Sequence, residues 1–194
     1  MDRFLSGVMD KAELMACGMA LEKQMQSEVE LLKAQTLRMI AAVRQMGKLF
    51  SQNGSSFGRG KLSQTDYGSL CQLIEVFRGA EESWRDAMWR LQVAETRLPA
   101  LKLSRELLAA AQAEDDLASE DVLLQVLEAG FAELREIGDM TLRSLAVVFF
   151  ARLTEGADME HQGENCAFGT LRELCGSYEA EAQKALERLK QIFS

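Results

Sequence analysis

Only one histidine and one proline occur in this chain of 194 residues, aromatic side chains make up 7%, and the four cysteines are widely scattered. Each scarcity excludes something. With His161 as the sole histidine, a helical di-iron centre lacks the two Glu-x-x-His motifs it requires. A serine or cysteine nucleophile would have to share that one imidazole, and no nucleophile motif accompanies it. Asp158-x-x-His161 with Glu160, Glu164 and Cys166 is too thin a ligand set for a metal. No catalytic, cofactor-binding or metal site is therefore expected, and His161 reads as a solvated loop residue. Cys17, Cys71, Cys166 and Cys175 form no Cys-x-x-Cys pair, which points to a reduced, cytoplasmic setting.

Long apolar runs are scarce as well. Leu145–Ala151 is flanked by Arg143 and Arg152, far too short for the roughly 30 Å of hydrocarbon in a bilayer, and reads as part of a buried helix. Acidic residues outnumber basic ones by 30 to 22, a net charge of −8 that argues against nucleic acid and disfavours an anionic membrane surface. The imbalance is uneven. Residues through Arg105 carry 15 basic and 12 acidic side chains, whereas Glu106 onward carries 7 and 18, so the two halves are expected to attract one another. The segment Gly58-Arg59-Gly60-Lys61-Leu62-Ser63 fails as a phosphate loop, since Ser55 stands where the first glycine belongs and Leu62 where Ser or Thr must follow the lysine. Arg59 and Lys61 remain candidates for contact with an anionic surface. Glu114-Asp115-Asp116 lacks the alternating spacing of a calcium loop and reads as a turn.

What the chain has in abundance is helical rhythm. Leu70, Leu73, Phe77, Ala80, Trp84, Ala87, Leu91, Ala94, Leu98, Leu101 and Leu108 recur at heptad spacing, interrupted once at Arg105, and return to one stripe of a helix that is stable only when covered. A first helix over about 2–50 has its seam at Leu14, Gly18, Leu21, Met25, Val29, Leu32, Thr36, Met39, Val43, Met46 and Phe50, with a stutter between Met25 and Val29. Near its start, Val8, Met9, Ala12, Met15, Cys17 and Met19 add apolar character on other faces, so this end is expected to meet several neighbours. Met15 and Met19 are candidate partner contacts, because methionine adapts to irregular surfaces.

A Gly- and Ser-rich stretch, 51–69, separates the first helix from a second over about 64–113, capped by Ser63 with Asp66. Pro99 marks either a kink or a fresh start. Ser119, followed by Glu120 and Asp121, reads as the cap of a third helix over about 120–154. Its core candidates are Leu127, Phe131, Leu134, Ile137, Leu145, Val148 and Leu153. A last helix over about 166–193 has a seam at Phe168, Leu171, Cys175, Tyr178, Ala182, Ala185, Leu189 and Ile192. Trp89 sits five positions after Trp84, about 140° around the helix, and must meet either a second neighbouring helix or a partner.

These readings predict a single all-α domain, an elongated antiparallel bundle or coiled coil of three to five helices. The expected function is a non-enzymatic interaction or scaffold module that forms a homodimer and binds a protein partner. A helical-bundle enzyme or ligand sensor with a buried pocket is a further alternative. The order Met46-Gly47-Lys48-Leu49-Phe50, Gly54-Ser55-Ser56, Leu62-Ser63 and Leu70, Leu73, Ile74, Glu75, Val76 resembles the BAR domain of sorting-nexin type. The resemblance implies a crescent-shaped dimer in membrane trafficking with a Lys/Arg-rich concave face, for which Arg59, Lys61, Arg85, Arg90, Arg97, Lys102 and Arg105 are the basic candidates. The acidic second half departs from that pattern.

Overall fold

The computed structural model describes residues 9–52, 63–111, 117–142 and 164–193, with side chains other than those of 141–142 and 164–174. Five helices make up this part of the chain: α1 (Lys11–Gln52), α2 (Gln64–Glu95), α3 (Leu98–Ala111), α4 (Ala118–Leu142) and α5 (Glu164–Gln191). Among the described residues there is no strand. Arg59, Lys61, His161, the 114–116 acidic cluster, the 145–151 run with Leu145, Val148 and Leu153, and the side chains of Cys166, Phe168 and Leu171 lie outside them.

Local chemistry sets most helix ends. Asp10 and Glu13 cap α1 reciprocally: the Glu13 N–H donates to Asp10 Oδ1 at 2.8 Å, and the Asp10 N–H to Glu13 Oε2 at 3.1 Å. Ser63 Oγ accepts from the Asp66 N–H at 3.1 Å and donates to Asp66 Oδ2 at 2.6 Å, as the sequence predicts. Pro99 opens a new helix rather than kinking an old one. It has no N–H to offer the Glu95 carbonyl, and α2 ends at Glu95. Ser119 is not a cap, because α4 begins one residue earlier and the Asp121 N–H donates to the Leu117 carbonyl at 3.0 Å. Starting there buries the Leu117 side chain, a gain of about 1.5–3 kcal/mol that outweighs a hydroxyl cap worth about 1 kcal/mol.

Cross-helix pairs give the directions. Glu28 and Gln24 of α1 meet Arg90 of α2 and Arg97 just beyond its end, so these helices run antiparallel. Lys11 meets Glu120 and Gly18 meets Leu123, so α4 runs parallel to the start of α1. Arg188 reaches Glu133 and Glu136, and Arg44 reaches Glu179, which sets α5 antiparallel to both α4 and α1. The result is an up-down-up-down bundle in which α2 and α3 together form one descending column. Helix α1 alone, 42 residues, is about 63 Å long.

One hydrophobic cluster draws on all five helices. Every seam position predicted for α1 is buried, and along α2–α3 only Leu73 is half-exposed, its neighbour Ile74 taking the inner place. The one break in the heptad, Arg105, is solved by geometry: Ser104 turns inward while Arg105 donates two 2.6 Å hydrogen bonds to Asp121 of α4. The first turns of α1 bury less than predicted. Ala12, Cys17 and Met19 are exposed and Met15 half-exposed, because α5 ends before reaching this level. The predicted attraction between halves is present: Lys11, Arg44, Lys102 and Arg105 pair with Glu120, Glu179, Glu128 and Asp121.

Candidate interaction surface

The descending column α2–α3 carries two apolar stripes. Across the Thr96–Arg97 turn the inward seam keeps its phase, with Ala87, Leu91, Ala94, Leu98 and Leu101 all buried. Phase survives because Thr96 keeps right-handed helical angles (φ −61°, ψ −14°) and the Arg97 N–H still reaches the Ala94 carbonyl at 3.1 Å. The outward stripe is Trp89, Val93, Thr96, Ala100, Leu103, Leu107 and Ala110, spaced 4, 3, 4, 3, 4, 3, the same alternation as the inner seam. These residues are exposed: Trp89 by 63%, Leu103 by 56%, Val93 by 43% and Leu107 by 42%. Outer positions of a bundle helix are ordinarily polar. Three heptads of apolar side chains there make a surface shaped to receive another helix.

Among the described residues Trp89 thus takes no place in the core and stands 63% exposed on the outer face of α2. Sequence reading isolated Trp89 but missed the stripe. Val93, Leu103 and Leu107 carry the signal once the heptad is followed from Trp89 rather than from Trp84.

Met15 and Met19 belong to a different surface. Val122 and Val126 lie on the α4 flank that continues to Gly130 and Glu133, where α5 docks through Ile192 and Arg188. Helix α5 ends at Gln191, level with Gly130, and the two valines before that level are exposed, as is Met19 (58%) near the start of α1.

Cations around the outward stripe are largely engaged. Arg90 grips Glu28 through two hydrogen bonds of 2.6 and 2.9 Å, Arg97 reaches Gln24 Oε1 at 3.5 Å, and Arg85 pairs with Glu81. Lys102 pairs with Glu128 at 2.7 Å. Hydrogen bonding to Glu28 and Asp121 raises the pKa values of Arg90 and Arg105 respectively. Contact of this face with an anionic surface would have to draw on charges these pairs already use.

An open groove of roughly 450 Å³ runs between α1 and α5, lined by Val43, Gly47, Ser51, Cys175 and Gly176 and crossed by the Arg44–Glu179 pair. Burial pushes the Cys175 thiol up to about 11, so it stays protonated and non-nucleophilic near neutrality. Tyr178, its hydroxyl donating to Met39 Sδ at 3.2 Å, is raised by the same cause. Glu120 is buried at the start of α4, its Oε1 3.8 Å from Lys11 Nζ, and among the described residues its Oε2 has no hydrogen-bond partner. The positive end of the helix and the lysine offset part of that burial. Among the described residues, no group of three or more His, Cys, Asp or Glu side chains is placed to hold a metal ion, and no helix is long and apolar enough to cross a membrane. In comparisons with protein-family models, curated proteins and solved structures, nothing matches this chain.

Proposed function

We propose that this chain is a non-enzymatic helical interaction module that associates with itself and with protein partners through exposed helix faces, chiefly the outward stripe of α2–α3. The observation that carries this reading is the unbroken heptad alternation from Trp89 to Ala110 on a solvent face. Leaving four large apolar side chains in water costs about 25 cal/mol for each Å² that burial would remove, and a surface of that cost is kept where something covers it. Helix packing is the fitting mode of recognition: knobs at alternating steps of three and four insert into the holes of a facing helix.

The experiment is a paired affinity capture with the wild-type chain and a Leu103→Glu/Leu107→Glu variant whose circular dichroism and melting temperature match the wild type. Bound proteins are identified by mass spectrometry and the binding rebuilt from purified components. A partner retained by the wild type and lost by the variant supports the reading. Binding indifferent to the variant, together with no self-association, would overturn it.

A further inference from the structure

We infer that the outward stripe is covered by the same stripe of a second copy, running antiparallel about a two-fold axis near Leu98. This rests on the interaction-module reading and gives it a definite occupant. Three features of the stripe converge on it.

The first is size. In the antiparallel register Trp89 faces Leu107 of the other copy, Val93 faces Leu103 and Thr96 faces Ala100. Bulky residues then stand at both ends and small ones at the waist, and each contact occurs twice, the self-complementarity that a two-fold interface requires. The small waist falls at the Thr96–Arg97 turn and lets the columns approach closely where they cross.

The second is charge. The flank of the stripe that faces away from α1 carries Arg85, Gln92 and Glu106, all exposed. About an axis near Leu98, antiparallel pairing brings Gln92 of each copy to within about 3 Å, measured along the helix, of Glu106 of the other, whereas parallel pairing would set Arg85 beside Arg85 and Glu106 beside Glu106. The opposite flank, Arg90 and Arg97, is held toward α1 by Glu28 and Gln24 and leaves the stripe clear.

The third is area. From Trp89 to Ala110 the stripe is about 33 Å long at 1.5 Å per residue. Its four large side chains each present on the order of 100 Å². With the smaller residues and flanks, two such faces bury about 1,000 Å², where specific interfaces begin. That size suits a reversible dimer.

The test uses the full chain with Cys17→Ser and Cys71→Ser, which removes two exposed thiols. Sedimentation from micromolar to hundreds of micromolar should show a monomer–dimer equilibrium. Leu103→Glu should raise the dissociation constant at least about tenfold, with helicity and melting temperature unchanged. Gln92→Glu, which sets a second carboxylate beside Glu106, should weaken the dimer, and Gln92→Glu/Glu106→Arg should restore it. A Val93→Cys/Leu103→Cys variant should oxidise to a covalent dimer while each single variant does not. Within one chain those two sites are about 15 Å apart, beyond the roughly 7 Å a disulfide can span. A monomer at every concentration, a dimer indifferent to Leu103→Glu, or cross-linking by the single variants would overturn the antiparallel dimer. If the chain is monomeric yet captures a partner that the Leu103→Glu/Leu107→Glu variant loses, the dimer falls and the interaction module stands. If neither occurs, both fall.

Discussion

Trp84 and Trp89 stand little more than one turn apart on α2, yet Trp84 is 2% exposed and Trp89 63%. Five residues rotate the chain about 140°, enough to carry one indole into the core and the other onto the outer face. Trp84→Ala should cost about 3–5 kcal/mol, the loss of a large buried aromatic with its cavity. Trp89→Ala should change stability by no more than about 0.5 kcal/mol in the monomer. Urea unfolding at low protein concentration separates the two, and comparable losses would contradict the assigned faces.

Leu91 lies in the centre of the inward seam, 2% exposed. Leu91→Asp places a carboxylate where no partner awaits it, and the expected loss exceeds about 4 kcal/mol. Thermal melting followed by circular dichroism should show a folded state that is lost or deeply destabilised. An unchanged melting temperature would remove Leu91 from the core.

Two glycines should respond oppositely to alanine. A Cβ on Gly79, on the outer face of α2, meets nothing within 4 Å, so Gly79→Ala should stabilise by about 0.5–1 kcal/mol through helix propensity alone. A Cβ on Gly18 would fall 2.6 Å from Leu123 Cδ2 and 3.3 Å from its Cγ, at the contact between α1 and α4. Gly18→Ala should therefore forfeit that gain and lower the unfolding midpoint. Equal shifts in both variants would mean that α4 does not pack closely here.

Desolvation by burial raises the Cys175 thiol from 9.0 to about 11. The folded state holds its proton more tightly than the unfolded chain does. Stability from this group is therefore complete below the ordinary thiol value and is lost as pH rises toward 11. Tyr178, raised by the same cause, acts in the same direction further into alkali. Urea midpoints at about pH 8 and about pH 10 should fall with pH, less steeply in Cys175→Ala. Alkylation near pH 8 should label the exposed Cys17 and Cys71 well before Cys175.

Much of the fold was legible because heptad spacing reports burial directly wherever one neighbour covers one stripe. From Leu14 to Phe50, and from Phe77 to Leu101, every residue the spacing picks out is buried, although Gln35, Ile40, Ala42 and Met88 join them without having been picked out. Ser63 and Pro99 acted through backbone hydrogen bonding within a turn or two, which is also local. Errors arose where two helices competed for a residue. Ser119 yielded its cap to Leu117, whose side chain finds a buried place in the core, and Arg105 became tolerable beside the seam because Asp121 lies opposite. The candidate surface was only partly visible: Trp89 stood out, but nothing in the sequence tells an outer stripe from a second inner one.

Periodicity and capping chemistry, both short-range, settled which residues are helical and which stripe of each helix turns inward. Register between helices was chosen by assembly alone. Helix α5 ends level with Gly130 and Met19 and Val126 stay exposed, and the four columns close on the inner stripe of α2–α3 while leaving the outer one in water. An apolar side chain gains the same free energy from whichever surface covers it, so its own chain cannot declare whether that cover will come from within or from another molecule.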